Sequence, residues 1–178
     1  MAKWIIDPSH SEIGFKVKHL MINNVKGNFR SFSGEAETSG EDFKASKINF
    51  TADISSIDTG NDQRDQHLRS ADFFNLEKYP QLTFQGRKFD GEVLEGDLSI
   101  AGITKPVKLN VDFGGIAKDP WGNTKAGFTI TGKINRKDWG INWNAALEAG
   151  GFLVSDDVTI TAEVQLLKQA EVKEAVNV

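Results

Sequence analysis

The sequence predicts an all-β chain in which eight antiparallel strands close into a barrel around an apolar interior. Three observations carry that prediction. Apolar and polar residues alternate with period two over long stretches, which puts one set of side chains on each face of a strand. Each such run is apolar on one face only, which suits an antiparallel sheet, since buried parallel strands are apolar on both faces. Turn-forming residues then separate the later runs.

The strands follow in order. Between Glu12 and Leu20, the positions Ile13, Phe15, Val17 and His19 share a face, with Lys16 and Lys18 opposite. A weaker second strand places Phe32, Gly34 and Ala36 together. The third sets Ile48, Phe50, Ala52 and Ile54 against Asn49, Thr51, Asp53 and Ser55. Leu82, Phe84 and Gly86 mark the fourth, and Leu94, Gly96, Leu98 and Ile100 the fifth. The sixth is the clearest, with Val107, Leu109, Val111 and Phe113 alternating with Lys108, Asn110 and Asp112. Ala126, Phe128, Ile130 and Ile134 mark the seventh, and Val158, Ile160, Ala162, Val164 and Leu166 the eighth. Asp90-Gly91 predicts a two-residue hairpin turn, and Gly102 to Pro106 and Asp119 to Asn123 supply further turns, so strands four to seven read as a meander. Closing eight strands into a barrel removes the exposed edges. A two-sheet sandwich is the competing fold, because periodicity alone does not separate the two.

Two segments break the pattern. Thr59-x-x-Asp62 is a helix start, Asp65 and Arg69 stand four apart as helical ion-pair partners do, and Pro80 stops continuation. A short helix or two turns is therefore expected between Asn61 and Tyr79, closing one barrel end. Asn135 to Ser155 is long for a loop in such a fold. It carries Trp139, Trp143, Leu147, Phe152 and Leu153 beside Gly150-Gly151, and reads as a greasy, hinged gate. Residues 1–168 form one domain, and 169–178 a polar tail.

A barrel of eight strands is either just filled by side chains or holds one small ligand. Gly34, Ala36, Ala52, Gly86, Gly96, Ala126, Gly132 and Ala162 share parity with their strands' apolar residues, and that many missing side chains points to a hollow, elongated tube. The opposing reading is that small residues fit the barrel's taper or mark bends. An apolar tube selects apolar cargo, at about 0.8 kcal/mol per buried methylene.

Composition excludes several classes. The 178 residues carry a net charge of −4, with signs interspersed, so there is no basic stripe for nucleic acid and no polybasic run for an anionic membrane. Without cysteine there is no disulfide, thiolate chemistry or cysteine metal site. No stretch approaches the ~20 apolar residues of a membrane span. The N-terminus runs straight into patterned sequence, which leads to the expectation of a cytoplasmic protein, or a periplasmic one if the chain is a processed form. The polar residues that deserve weighing are His10, His19, Arg64, Asp65, His67, Asp72 and Arg136. The three histidines lack metal-ligand spacing, and no nucleophile elbow, paired-carboxylate signature or phosphate loop appears, so no catalytic residue, metal or cofactor is expected. The expected ligand-binding set is Phe15, Val17, His19, Phe50, Arg64, His67, Phe84, Leu98, Phe113, Phe128, Ile130, Arg136, Trp139, Trp143 and Phe152. Arg64 and His67 are expected at a ligand's polar end.

The same residues carry a resemblance. Trp4-Ile5-Ile6-Asp7, His10-Ser11 and Ile13 to His19 resemble the opening of the YceI-like, polyisoprenoid-binding family. Asp53 to Thr59, Arg64-Asp65-Gln66-His67-Leu68, Asp72-Phe73-Phe74 and Tyr79-Pro80 resemble its middle. Gly96…Ile100…Gly102 to Val107 and Arg136-Lys137-Asp138-Trp139-Gly140 resemble its later part, so that the match runs in order from about Trp4 to Leu167. The resemblance implies a lipocalin-like barrel, an elongated apolar pore, binding of isoprenoid chains or similar lipids, and often a homodimer, without an established enzymatic activity. Three readings stand: a carrier or store for such a lipid, an enzyme acting on one through Arg64, Asp65, His67 and Arg136, and a structural barrel with a filled core.

Overall fold

The computed structural model describes residues 1–145 and 153–170. Among them are eleven strands: β1 (Ala2–Ile6), β2 (Glu12–His19), β3 (Asn23–Phe29), β4 (Phe32–Ser39), β5 (Asp42–Asp53), β6 (Ile57–Asp58), β7 (Gln81–Phe89), β8 (Val93–Ile100), β9 (Ile103–Lys118), β10 (Thr124–Asn135) and β11 (Val154–Lys168). Every pairing between them is antiparallel.

Eleven strands make eight staves because two staves are each broken into two strands and the two-residue β6 continues the β5 stave along β3. β1 and β2 run in line along β11, which pairs Ile6 with Leu166 and then Glu12 with Glu163. β3 and β4 follow as the next stave, with β4 on β1 and β3 on β2. The first break falls at Asp7-Pro8-Ser9-His10, where proline cannot donate to a ladder. From β4 the order is β5, β7, β8, β9, β10 and β11, which returns to β1 and β2 and closes the ring. β1 and β3 escape the sequence reading. In β3 the inward positions are Val25, Gly27 and Phe29, with Lys26 and Asn28 between them, a weak alternation, and in β1 only Trp4 and Ile6 carry the signal.

The segment Asp62–Arg69 is the expected helix, α1. Its cap is Asn61, whose side chain accepts from the Arg64 N–H, and not Thr59. Thr59 instead donates from its N–H to the Asp65 carboxylate at 2.9 Å, so Asp65 is tied to Thr59 and not to Arg69. Arg69 donates to the Ile57 carbonyl. β5 ends at Asp53 and β7 begins at Gln81, so above that level β3 has, on the side away from β2, only the two residues of β6. There α1 and the turns after it complete the wall, with the Phe74 ring edge-on to Phe29 at 6.0 Å.

The hairpin expected at Asp90-Gly91 is displaced by one residue. Asp90 N–H bonds to the Val93 carbonyl, Gly91-Glu92 form the turn, and the Asp90 carboxylate accepts from the N–H groups of Glu92 and Val93. The glycines on inward faces also mean something different from what parity suggested. A Cβ on Gly96 would stand 2.5 Å from the Gln85 carbonyl and against the Phe84 ring, and one on Gly132 would meet Leu109 at 2.5 Å. These glycines are not gaps; each is the place over which a large neighbour lies. Gly96→Ala should therefore destabilise the fold by about 1–3 kcal/mol, because the Gln85 carbonyl is backbone and cannot yield, and chemical denaturation would measure it.

The break at Asp7 is itself held by charge. Its carboxylate accepts from the Ser9 hydroxyl at 2.7 Å, from the Ser9 N–H at 3.1 Å, and lies 2.8 Å from His10 Nδ1. These bonds, the Ser9 hydroxyl first, lower the Asp7 pKa from 3.8 to about 2. A carboxylate depressed in the fold contributes stability that is present above about pH 3.8 and is lost as pH falls through about 2. The stability difference between the wild type and Asp7→Asn should accordingly shrink to nothing between pH 4 and 2 in denaturation curves.

Candidate ligand-binding site

The barrel is hollow. One cavity of about 640 Å³ runs inside it, within the size range of small-molecule sites. Its walls are the inward residues of the staves, among them Ile13 and Phe15 of β2, Phe50 of β5, Phe84 of β7, Leu98 of β8, Val111 of β9, Ile130 of β10 and Ala162 of β11. Of the small residues singled out by parity, Gly34, Ala36 and Ala162 face the cavity. Ala52 and Ala126 are fully packed in the wall.

The two ends differ. At the lower end Phe43, Phe89 and Phe128 form a floor. Behind Phe43 lies Trp4, 0 % exposed, its ring 4.9 Å away and its indole N–H donated to the Thr38 hydroxyl at 2.9 Å. At the upper end the lining turns polar, with Lys18, His19, Asn61, Gln63, Arg64 and His67 around the opening. Glu35 also lines the cavity, but its carboxylate pairs with Lys3 at 3.3 Å.

Thirteen of the fifteen expected residues line this cavity. Phe152 lies outside the described residues, as do Leu147 and Gly150-Gly151. Phe113 is a correction. It keeps inward parity, but β8 pairs with β9 only as far as Asn110, so Phe113 sits beyond the floor, 44 % exposed, its ring 5.1 Å from Phe128.

The polar groups have distinct jobs. Arg64 donates from Nε to the Thr59 hydroxyl (2.7 Å) and from Nη2 to the Thr59 carbonyl (2.6 Å), so Nη1 is the donor not engaged with Thr59. His67 Nε2 stands 2.9 Å from the Asp72 carboxylate, and its ring is edge-on to Trp143 (4.7 Å) and Phe73 (5.1 Å). Trp143 thus reaches across the mouth to α1. Trp139 does not belong to a gate. It is 2 % exposed and donates to the Leu98 carbonyl at 2.9 Å.

Arg136 is one of the thirteen. It lines the cavity, yet its guanidinium serves the backbone and not a ligand head. Nε donates to the Ser155 carbonyl at 2.9 Å, and Nη1 to the carbonyls of Ile141 and Trp143, each at 2.8 Å. It is 5 % exposed, and burial lowers its pKa against the opposing pull of Asp156. Asn144, which sequence reasoning missed, clamps the same stem: its side-chain oxygen accepts from Val154 N–H and its nitrogen donates to the Val154 carbonyl. Leu153, beyond the stem, lines the mouth and accepts from Leu20 N–H. Arg136→Lys should lose about 1–3 kcal/mol for each carbonyl left unpaired, since an ammonium cannot fork to three of them, whereas Arg64→Ala should cost clearly less; urea denaturation of the two variants compares them.

The family model of the YceI-like domain matches residues 4–166, and the chain belongs to that family. A UPF0312 protein of Staphylococcus aureus is 40% identical over 166 residues, covering 93% of this chain and 97% of the relative. Among solved structures, the Campylobacter jejuni YceI protein is similar at 38% identity and TM-score 0.72, covering 93% of this chain and 96% of that one. A polyisoprenoid binding domain from Saccharophagus degradans shares the fold at TM-score 0.62 and 16% identity, over 94% of this chain and 98% of that one.

Proposed function

We propose that the chain binds a long-chain, isoprenoid-like lipid inside the barrel and acts as its carrier or store. The observation that carries this reading is the polarity of the cavity: apolar walls ending on a floor of phenylalanines, with hydrogen-bonding side chains gathered at the upper mouth. A lipid tail gains about 0.8 kcal/mol per methylene in such a tube, while a polar end buried without partners would lose several. The tail therefore points to Phe43 and Phe128, and the head sits by Arg64 Nη1, His19 and Gln63. Membership of the YceI-like family and the name of the Saccharophagus degradans domain support a ligand of this kind.

The enzymatic alternative draws less support from the geometry. Of its four residues, Asp65 is held by Thr59 and Arg136 by main-chain carbonyls, which leaves Arg64 and His67 at the mouth. Organic extraction of the purified protein followed by mass spectrometry identifies any bound lipid. Ala162→Phe, which sets a ring into the middle of the tube, should stay folded and weaken binding of the apolar fluorophore N-phenyl-1-naphthylamine at least tenfold (about 1.4 kcal/mol). Trp143→Ala should leave affinity within about threefold and speed probe exchange, because the ring bridge to His67 is removed. Unchanged probe binding in Ala162→Phe, with no lipid extracted, would sink the carrier reading.

A further inference from the structure

The β2–β3 hairpin ends in the three-residue loop Leu20-Met21-Ile22, beside the cavity mouth that His19 and Lys18 line. All three side chains are apolar and outward: Met21 is 55 % and Ile22 83 % exposed, and Leu20 is also exposed. The backbone is unusual as well. Leu20 (φ 54°) and Met21 (φ 60°) are both left-handed, a conformation that tight hairpin loops ordinarily fill with glycine or asparagine. A sequence that breaks local rules with exposed apolar residues marks a site kept for use and not for stability.

The flanks of the hairpin are basic. From Lys16 to Lys26 there are three lysines and no acidic residue, in a chain whose net charge is −4. Sequence alone shows no polybasic run; folding makes one, since Lys16 and Lys26 are direct cross-strand partners, a like-charge pairing that costs stability. Among the described residues none of the three has a carboxylate within ion-pair distance, and Asp156 and Asp157 at the start of β11 face Lys137 (3.3 Å) and Lys133 (3.9 Å) instead.

We infer that this hairpin tip docks the barrel mouth on an anionic phospholipid bilayer, from which the lipid of the proposed function enters or leaves; the inference rests on that reading. The dimensions agree. An apolar element at a membrane surface sinks about 5–10 Å, and at ~3.3 Å per residue Lys18 lies about 7 Å behind Leu20. Insertion of the tip therefore brings Lys18 to the phosphates, with Lys16 and Lys26 within about a Debye length of them. The opening then faces lipid while the lower floor faces away.

The test uses the full chain with vesicles of phosphatidylcholine alone or with phosphatidylglycerol added, read by flotation, and N-phenyl-1-naphthylamine binding measured separately without vesicles. The wild type should float with the anionic vesicles and release at high salt. Ile22→Asp should lose at least about tenfold in partitioning, as expected for one fully inserted isoleucine, and keep its probe affinity. Replacing Lys16 and Lys26 together by alanine should lose up to about fivefold per lysine on the anionic vesicles alone. A wild type that binds the probe but floats with neither vesicle overturns the docking and leaves the carrier reading standing. Ile22→Asp floating like the wild type overturns it too, as does a wild-type dimer that fails to float and that Ile22→Asp dissociates, since the tip is then a face for a second copy. A wild type that floats but never binds the probe overturns the carrier reading, and with it docking as a route for cargo.

Discussion

The structure depends on β11 finding partners on both sides. Over eleven residues it pairs with β10, and along its other edge it holds β2 from His19 to Glu12 and then β1 from Ile6 to Trp4. Without that second edge the sheet would be an open, curled ribbon with one greasy face in water, and the cavity would not exist. Main-chain hydrogen bonding is what licenses a hollow interior here. Around its lower part the wall is hydrogen-bond continuous, so its inner surface need not be packed to the density that holds a helical bundle together.

Closure also explains why the ends diverge. At the lower end the staves converge on aromatic rings, with Phe43 between Trp4, Phe113 and Phe128 at 4.9 to 6.0 Å. At the upper end β5 stops, no ladder joins β3 to β7, and a hydrophilic helix takes the place of the strand, with Trp143 of the Arg136 stem against it. Helix and stem need polar side chains to satisfy their own main chains, and those that do so for the helix, Asn61 and Arg64, also line the opening. The polarity of the cavity thus follows from where the ladder stops.

Much of this was legible in the sequence, for physical reasons that can be named. The strands holding Ile48 to Ala52, Val107 to Val111, and Val158 to Val164 are buried on one face, and burial on one face writes period two directly. The same rule placed Phe15, Phe50, Phe84 and Ile130 on the cavity wall. Sequence does not display a side chain whose partner is backbone: Arg136 reads as a candidate ligand-binding residue, and its guanidinium is tied to main-chain carbonyls. The rule failed for Gly96 and Gly132, because parity says which way a missing side chain would point but not that Phe84 or Leu109 lies across the place. Phe113 misled for another reason. Its parity is right, but the neighbouring strand β8 is too short to cover it.

The two broken staves lie side by side, and their breaks line up. Ladder partners run from Ile5 with Glu35 below to Ile13 with Phe29 above, and between them the chain is fastened sideways, by Asp7 N–H to Gln165 and Arg30 N–H to Ser56. Below this seam the molecule is a sealed cup whose circumference is fixed by ladder bonds. Above it there is a slit between β3 and β7, spanned by side chains: Phe29 on Phe74, His67 on Trp143. Widening the rim of the cup therefore strains ring contacts, which rearrange by rotamer changes, and spares the backbone ladder, which does not. The vessel is thus of two makes, a cup held by main-chain bonds and a rim held by side chains.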